Sequence, residues 1–422
     1  MTDSFWKEQY HISGRVLDIC QRAEQQIAPF LKKVDETAEY NGLKVLKAFQ
    51  NHAVSEMHLG STTGYGYDDV GRDTLDQIYA EAFGAEDALV RHSIVNGTQA
   101  IAACLYGVLR PGDTLVAATG KPYDTLEEVI GIRGHNNGSL REFGVHYRQV
   151  DLNGSDVDFE GLRAAIDDTT KVVAIQRSKG YAWRDSLSVE KIGEVIAFVK
   201  SIRSDIICMV DNCYGEFVEP KEPCAVGADL IAGSLIKNPG GGLARSGGYI
   251  AGTRACVEQV SYRLTSPGIG RECGASLGNN PLMYQGFFLA PHIVAQSVKA
   301  AILCSAVFEQ LGYDVHPRYC DMRTDIIEAV KLGSADKLIR FCQGIQKGAP
   351  VDSHVVPEPW DMPGYDDQVI MAAGAFTAGS SIEISADGPL RAPYIAYYQG
   401  GLTYESAKAA ILLAAQGILE EP

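Results

Sequence analysis

The chain has 422 residues, which is enough for a large hydrophobic core and two domains. Its formal net charge of −16 argues against a surface for nucleic acid or for an anionic membrane, and no apolar run approaches a membrane span. The N-terminus has no signal-peptide pattern and the ten cysteines form no CxxC pair, so we expect a cytoplasmic protein with free thiols. The nine histidines show no metal-ligand spacing, and we predict no metal site.

The first 75 residues contain helices and one unusual loop. Residues 1–55 read as helices with polar faces, and apolar residues at helical spacing predict a helix over Gly14–Val34. In residues 56–75, glycine and aromatic residues alternate, which suits an ordered loop near a ligand. Tyr65, Tyr67 and Arg72 could bind a phosphate there, or the stretch is a glycine-rich connector with incidental tyrosines. A helix over Thr74–Phe83 follows.

Strands and helices alternate between residues 88 and 252. This order predicts an α/β fold, with a mostly parallel sheet and helices on both of its faces. The predicted strands are Ala88–Val95, Thr114–Ala118, 145–150, 171–176, Ile206–Val210, Asp229–Gly233 and Gly248–Ala251. The predicted helices between them are Ala100–Leu109, Thr125–Ile132, Phe159–Ile166 and Val189–Ile202.

The start of the first of these helices is a candidate anion site. Asn96 can cap the helix over Ala100–Leu109, and the backbone amides from Gly97 to Gln99 then point outward. Such a site suits a cofactor phosphate, although an ordinary capped helix has the same pattern.

Two buried strands lead into residues that carry chemistry. Lys237 comes soon after the apolar strand Asp229–Gly233 and Ser234, where a lysine is costly unless it is neutralised or bonded. A lysine with a depressed pKa is the usual covalent partner of a carbonyl substrate or of pyridoxal phosphate, so we predict a Schiff base on Lys237. The alternative is a lysine that ends a strand and reaches water. Asp211 follows Ile206–Val210, and an acid there can pair with the pyridine nitrogen of that cofactor.

The C-terminal part of the chain has a different pattern. Pro281–Leu311 predicts a connecting helix kinked at Pro291, and short strands mixed with helices follow. We predict an N-terminal helical segment (1–55), a large domain (56–311) and a smaller α+β domain (312–422). Arg391 lies in a stiff loop between prolines, where it could clamp a substrate carboxylate or be an ordinary surface arginine. The predicted elements of the small domain are strands Val369–Ala373, Ile382–Ser385 and Tyr394–Tyr398 and helices Ala335–Lys347 and Thr403–Leu419.

Together these stretches resemble the fold-type I pyridoxal phosphate enzymes, and most closely the cystathionine and methionine lyase-like family often described as aluminium resistance proteins. The resemblance covers residues 40–419. It is carried, in this order, by GYGYDDVGRDTL, FGAEDALVR, NGTQA, GKPYDTLEEVIG, VDNCYGEFVE, GSLIKNPGGGLARSGGYIAG and DGPLRAPYIAYYQGGLTY. It implies pyridoxal 5'-phosphate as cofactor. One departure is that the better-known cystathionine lyases carry Ser-Gly-Met at the phosphate helix, where this chain has Asn-Gly-Thr-Gln.

The resemblance also implies roles for individual residues. Lys237 would hold the cofactor as a Schiff base, Asp211 would pair with the ring nitrogen, and Tyr214 would approach the ring oxygen. The remaining contacts to the cofactor and the substrate would come from Gly97, Thr98 and Ser234 on the phosphate, Tyr123 stacked on the ring, and Arg391 on the substrate carboxylate.

The loop that contains Tyr65, Tyr67 and Arg72 resembles the one that reaches the phosphate of a neighbouring subunit in lyases of this class. The resemblance therefore implies a homo-oligomer, either a dimer or a dimer of dimers (a homotetramer), with active sites at the subunit interface.

The implied activity is carbon–sulfur bond cleavage in a sulfur-containing amino acid. Elimination at the β- or γ-carbon would give a thiol, a 2-oxo acid and ammonia. The same cofactor also supports transamination and aldol cleavage, and a non-catalytic pyridoxal phosphate binder is a further alternative. A nicotinamide oxidoreductase is disfavoured, because GIGRECG at 268–274 misses the dinucleotide-binding fingerprint and follows a helix.

Overall fold

A computed structural model describes residues 2–362 and 365–420 of the chain. The helices in these residues are α1 (Thr2–Gln9), α2 (Gly14–Asn51), α3 (Val70–Phe83), α4 (Gly97–Val108), α5 (Asp124–Ile130), α6 (Phe159–Ala165), α7 (Val189–Ile202), α8 (Arg254–Leu264), α9 (Asn280–Gln310), α10 (Ala335–Lys347) and α11 (Tyr404–Leu419). The strands are β1 (Asp87–Arg91), β2 (Thr114–Ala117), β3 (His146–Gln149), β4 (Thr170–Gln176), β5 (Ile207–Asp211), β6 (Leu230–Ser234), β7 (Gly248–Gly252), β8 (Asp314–His316), β9 (Glu328–Lys331), β10 (Val369–Ala372), β11 (Ser385–Pro389) and β12 (Ile395–Gln399).

The chain divides into two compact units. The large unit consists of Tyr40–Gly180 and Ser186–Ala290, and the small unit of Met1–Glu39, Tyr181–Asp185 and Pro291–Pro422. The boundary between the units at 39/40 falls inside the long helix α2, and the boundary at 290/291 falls inside the long helix α9. The domain boundaries predicted at 55/56 and 311/312 remain a prediction, and the inclusion of Tyr181–Asp185 in the small unit was not foreseen.

The large unit is built on a seven-stranded sheet in the order β1-β7-β6-β5-β4-β2-β3. Strands β6, β5, β4, β2 and β3 are parallel, and β7 is antiparallel to both of its neighbours, β1 and β6. The predicted α/β fold with a mostly parallel sheet is therefore confirmed. All strands except β7 point the same way, so their carboxyl ends lie at one edge of the sheet.

Helices cover the large sheet, and its strands β5 and β6 carry no polar side chain before their last residues, Asp211 and Ser234. Every residue of β6 and β7 is buried, and α4 packs on these two strands and on α8. Gly107 permits a close approach of α4 to α8, because a Cβ at that position would lie 2.9 Å from the Cα of Val260. The start of α4 is thereby held next to the strands that end in site residues.

The small unit contains a five-stranded antiparallel sheet in the order β10-β11-β12-β9-β8, with α10 packed on α11 and on the sheet. The predicted strand Ile382–Ser385 is wrong, because β11 begins only at Ser385. Strands β8 and β9 were missed, since charged residues obscure their pattern. Glu328 of β9 is fully buried and forms an ion pair with Arg323, which the sequence alone does not reveal.

The two longest helices also differ from expectation. Helix α2 extends well beyond the predicted Gly14–Val34, with Pro29 inside it. Helix α9 is a single helix through Pro291, and its length and composition would allow it to cross a membrane, contrary to the expectation from the sequence. However, 67% of its most apolar 18-residue window is buried inside the structure, as in the core helix of a folded domain.

Candidate active site

Four predicted site residues gather at the carboxyl edge of the large sheet. Asp211 is the last residue of β5 and Ser234 is the last residue of β6, with Lys237 three residues further along the chain. Gly97 begins α4 shortly after β1, which ends at the same edge. Ligands of open α/β sheets bind at this edge, so the fold supports the predicted position of the site.

Lys237 lies against the ring of Tyr214, with its Nζ 3.9 Å from the ring centroid. Burial lowers the pKa of the Lys237 amine, but Cys213, Tyr214 and Asp211 raise it more, so that the pKa lies above its ordinary value. The sequence argument expected a depressed pKa, and this expectation is wrong because acidic groups around the amine stabilise its charged form. In the cofactor-free chain Lys237 is therefore an ammonium ion, which must lose a proton before it can act as a nucleophile.

Asp211 is placed to pair with a positive group. Its Oδ1 accepts a hydrogen bond from the backbone N–H of Cys213 at 3.1 Å. A cavity lined mainly by apolar side chains, among them Leu115 and Met209, borders it. Burial raises the pKa of the Asp211 carboxyl, and Lys237 lowers it by less. A carboxylate in such surroundings is costly unless a cation is near, and both Lys237 and a protonated ring nitrogen meet that need.

The start of α4 forms a cradle with β6. Asn96 caps the helix as predicted, because its Oδ1 accepts a hydrogen bond from the backbone N–H of Gln99 at 2.8 Å. A Cβ on Gly97 would lie 3.2 Å from the Sγ of Cys213 and 3.5 Å from the Cβ of Ser234. Since glycine has no side chain, the first amides of α4 remain open toward Ser234.

Ser234 gives the test of whether the cradle fits a phosphate. It is 1% exposed, and its Oγ has no hydrogen-bond partner within residues 2–362 and 365–420. An unsatisfied buried hydroxyl costs roughly 1–3 kcal/mol, so an acceptor is missing here. A phosphate would supply that acceptor, and the N-terminus of α4 would supply further N–H donors. The cradle therefore fits the cofactor phosphate that the sequence predicts.

We expect Ser234→Ala to weaken the binding of pyridoxal 5'-phosphate roughly tenfold or more, because one hydrogen bond to a charged group is lost. The thermal midpoint of the cofactor-free chain should not fall, since the hydroxyl has no partner there. Fluorescence titration and differential scanning fluorimetry would measure the two effects. Ser305→Ala is the matched control. The Ser305 hydroxyl donates to the carbonyl of Pro317 at 3.0 Å, so its loss should lower the midpoint and leave cofactor affinity unchanged. Unchanged affinity in Ser234→Ala would contradict the cradle.

Thr98 lies in α4 and Tyr123 directly before α5, the helix whose start is tied to that of α4. The hydroxyls of Thr98 in α4 and Thr125 in α5 share a hydrogen bond of 2.8 Å, which ties the starts of these helices together. Tyr123 directly precedes α5 and packs on the core of the large unit. A Cβ on Gly180 would lie 3.7 Å from the Cδ2 of Tyr123. This position is compatible with the predicted stacking role of Tyr123, which remains a prediction.

The loop with Tyr65, Tyr67 and Arg72 is fixed within its own subunit. The two tyrosine rings stack at 5.6 Å, and they are 72% and 55% exposed. Arg72 is buried, and its Nη1 donates to the carbonyls of Gly66 and Gly274 at 2.6 and 2.9 Å. The exposed tyrosines are therefore available to another molecule, whereas part of the Arg72 guanidinium serves to hold the loop. Their predicted role at a neighbouring subunit remains a prediction.

Arg391 belongs to the small unit. It precedes β12 and is exposed, and its Nη1 donates to Asp367 at 3.2 Å. An exposed guanidinium with one weak ion pair can exchange that partner for a substrate carboxylate at little cost. Its predicted substrate role remains a prediction.

A buried polar network beside the site was not predicted. Arg177 donates to Asn212 at 2.7 Å, Asn212 donates to the hydroxyl of Tyr249 at 3.1 Å, and Tyr249 donates to Glu216 at 2.9 Å. Arg177 also donates to Glu219 at 2.6 Å. The only sequence signal was the spacing of acidic residues after β5, which reads more naturally as a solvated face. The network anchors the loop that carries Tyr214.

Asn238, directly after Lys237, also holds the loop that carries Tyr214. The backbone of Tyr214 has φ +73°, a left-handed conformation that costs a non-glycine residue roughly 1–2 kcal/mol. The Nδ2 of buried Asn238 donates to the carbonyls of both Tyr214 and Glu216 at 3.0 Å. These bonds offset the strain and fix Tyr214 relative to Lys237.

Burial raises the pKa of the Glu216 carboxyl to about 8, well above its ordinary value of 4.5. The folded chain therefore keeps the proton on Glu216 while the unfolded chain loses it, so stability is full below pH 4.5 and falls as the pH rises toward 8. Because glutamine stays uncharged, we expect Glu216→Gln to abolish this pH-dependent loss of unfolding free energy, which amounts to at most roughly 5 kcal/mol. The difference between thermal midpoints at pH 5 and pH 8 should be smaller in the variant than in the wild type. Glu127→Gln, which removes another buried carboxylate, should keep the wild-type difference. If the wild type and both variants showed the same difference between the midpoints at pH 5 and pH 8, Glu216 would not be its cause.

Comparison with known proteins was consistent with these features. The family model for methionine gamma-lyase matches residues 16–419. An uncharacterized protein of Bacillus subtilis (strain 168), YnbB, is 54% identical over 400 residues, which covers 94% of this chain and 95% of that protein.

Solved structures are also similar. The crystal structure of a carbon-sulfur lyase involved in aluminum resistance from Clostridium novyi NT is 54% identical, with a TM-score of 0.95, and covers 98% of each chain. The pyridoxal-5'-phosphate dependent protein YhfS from Escherichia coli shares only the fold, with 16% identity and a TM-score of 0.63 over 92% of this chain and 97% of that one. The resemblance drawn from the sequence motifs and the fold-type I architecture are thereby confirmed.

Proposed function

Because the chain belongs to the methionine gamma-lyase family, we propose that it is a pyridoxal 5'-phosphate-dependent carbon–sulfur lyase that acts on a sulfur-containing amino acid. The observation that carries the proposal is the position of Lys237 and Asp211 at one sheet edge, beside the unsatisfied hydroxyl of Ser234. A lysine, a carboxylate and a phosphate cradle are the three features that this cofactor requires.

Pyridoxal 5'-phosphate, the cofactor of the family, supplies an aldehyde that bonds to amines and a ring that accepts electrons from the α-carbon. We propose that the following residues of this chain hold it. The Lys237 amine would be the covalent attachment point, and the carboxylate of Asp211 would keep the ring nitrogen charged. The phosphate would be bound by the hydroxyl of Ser234 and the first amides of α4, at Gly97 and Thr98. Tyr123 would stack on the ring, and Tyr214 would approach its oxygen.

Lys237 would also move the proton. As a neutral amine it would be the general base for the proton on the α-carbon of the substrate, a contribution of roughly 10²–10⁴-fold. The centroid of the Tyr214 ring lies 3.9 Å from Nζ, so the ring limits where the amine can move. The overall reaction would consume the amino acid and one water molecule and would give a thiol, a 2-oxo acid and ammonia.

The other predicted contacts complete the proposal. Arg391 would bind the substrate carboxylate with its planar guanidinium. Tyr65, Tyr67 and Arg72 would approach the phosphate of a neighbouring subunit, in a cytoplasmic homo-oligomer that is a dimer or a dimer of dimers.

The test is an assay of the purified protein with L-cystathionine and with L-methionine, in the absence of any amino acceptor. We expect equimolar release of thiol, 2-oxo acid and ammonia from at least one of them. Turnover that begins only when a 2-oxo acid is added would show an aminotransferase. Release of an aldehyde from a β-hydroxy amino acid would show an aldolase-like enzyme, and a visible cofactor band without any turnover would show a non-catalytic binder. Each of these three outcomes would overturn the lyase proposal.

A further inference from the structure

A cleft of about 490 Å³ lies at the end of α5 in the large unit. It is lined by the end of that helix, by the loop at 141–145 and by the start of β3. Because β3 is parallel to β2, its start lies at the edge of the sheet opposite to Asp211 and Ser234. The volume falls in the range of roughly 300–1,000 Å³ that ligand pockets occupy. The cleft is therefore a candidate binding site separate from the proposed active site.

The main chain around the cleft is fixed by hydrogen bonds. The N–H of Arg141 donates to the carbonyl of Ile130 at 3.1 Å, and the N–H of Gly144 donates to the carbonyl of Arg141 at 3.0 Å. Gly131, directly after α5, has φ +93°, and a Cβ there would lie 2.7 Å from the Cβ of Arg141. The base of the Arg141 side chain thus lies against the end of α5, in a position that only glycine at residue 131 permits.

The polar side chains of the cleft favour a negatively charged ligand. Arg141 and His146 are exposed, and neither side chain has a hydrogen bond or an ion pair in the part of the chain that the structure describes. Among the described residues that line the cleft, none carries a carboxylate. The adjacent Glu142 is occupied elsewhere, since it accepts hydrogen bonds from the backbone N–H groups of Asn136 and Gly138. A free guanidinium binds a carboxylate through two parallel N–H donors, so an anion fits this cleft.

The remaining wall of the cleft is apolar. Ile132 is 38% exposed, and Ile130 and Val145 are buried. Ile130 and Tyr147 also line the apolar cavity that borders Asp211, so the wall is backed by apolar side chains. An apolar chain on the ligand would gain affinity here, by up to roughly fourfold for each buried methylene group. The ligand that fits is therefore an organic anion with an apolar part.

We propose that this cleft binds a 2-oxo acid with an apolar side chain. Its carboxylate would be held by Arg141, with His146 as a second N–H donor, and its chain would lie on Ile132. An amino acid is disfavoured, because its ammonium group would find no acid among the described lining residues. A 2-oxo acid is the product of the proposed function, on which the choice of this class among carboxylic acids rests.

The test is the dissociation constant of 2-oxohexanoate for the purified full-length protein, measured by ligand-detected NMR in the absence of substrate. Arg141→Gln should weaken binding roughly tenfold, because hydrogen bonds between charged groups are lost. Its thermal midpoint should equal that of the wild type, since the side chain has no partner to lose. 2-Oxobutanoate, which is shorter by two methylene groups, should bind several-fold more weakly. L-2-Aminohexanoate, which has the same chain and an ammonium group, should not displace 2-oxohexanoate.

Arg148→Gln is the matched control. Arg148 also lies on β3, but its guanidinium forms an ion pair with Asp167 at 2.5 Å, and it is not among the described residues that line the cleft. This variant removes the same charge and should leave the dissociation constant unchanged.

Equal affinities in the wild type and Arg141→Gln would overturn the inference, as would an equal loss of affinity in Arg148→Gln. Displacement by millimolar inorganic phosphate, together with equal affinities for the two 2-oxo acids, would show a site for small inorganic anions and would also overturn it. Because the measurement needs no turnover, its failure is distinguishable from a failure of the lyase proposal.

Discussion

Lys237→Ala should lower turnover by more than about 10⁴-fold, since in the proposed function the same amine would attach the cofactor and take up the α-proton. The fold should survive, because the Lys237 amine contacts the ring of Tyr214 at the sheet edge and has no part in the apolar core. The decisive measurement is borohydride reduction of the cofactor-loaded protein, followed by peptide mapping. In the wild type the reduced cofactor should be recovered on the peptide that contains residue 237, and in the variant no peptide should carry it.

Lys44 offers a control that separates geometry from pKa. Burial lowers the pKa of Lys44, so by reactivity alone it would be the better nucleophile of the two lysines. However, Lys44 lies on α2 and donates to the carbonyl of Pro220 at 3.0 Å, without a strand-end carboxylate to pair with the cofactor ring. Lys44→Ala should therefore keep both the labelled peptide and the turnover. Recovery of the reduced cofactor on Lys44 in wild-type protein would refute the assignment of Lys237.

The sequence predicted the position of site residues that directly follow fully apolar, buried strands. Strands β5 and β6 are short apolar runs in a sheet covered on both faces, so their ends, and with them Asp211, Ser234 and Lys237, could be located from the sequence. The cap of α4 by Asn96 is a local pattern and was equally readable. These features depend on residues that are close together in the chain.

The rest of the site depends on contacts between distant residues. Tyr249 reaches Glu216 only because the antiparallel pairing of β6 and β7 places it opposite Gly233, and no local pattern encodes that register. A buried arginine such as Arg177 is also indistinguishable in sequence from a solvated one. For the same reason the pKa of Lys237 was predicted in the wrong direction, since its sign is set by Cys213 and other neighbours brought in by the fold.

Asp211→Asn should reduce turnover roughly 10²–10³-fold, the size expected when one preorganised electrostatic contact is lost from a site. Asparagine has nearly the same shape as aspartate and can still accept the hydrogen bond from the N–H of Cys213, so the loop should keep its conformation. What is lost is the charge, and an uncharged amide cannot keep the cofactor's ring nitrogen protonated. The variant should therefore still bind the cofactor but remove the α-proton slowly. The measurement is the rate at which the α-proton of the substrate exchanges for deuterium in D₂O, and we expect that rate to fall.

The control for this variant is a carboxylate at the other end of the same strands. Asp229 precedes β6, accepts a hydrogen bond from the N–H of Cys208 at 2.7 Å and pairs with Lys200 at 2.8 Å. Asp229→Asn removes a charge of the same kind and should lower stability without slowing exchange at the α-carbon. If Asp211→Asn exchanged the α-proton at the wild-type rate, the carboxylate would have no part in stabilising the carbanion, and the raised pKa of Asp211 would reflect burial alone. If exchange slowed in Asp211→Asn alone, the charge at the carboxyl end of β5 would be what makes this sheet edge a catalytic site rather than only a binding site.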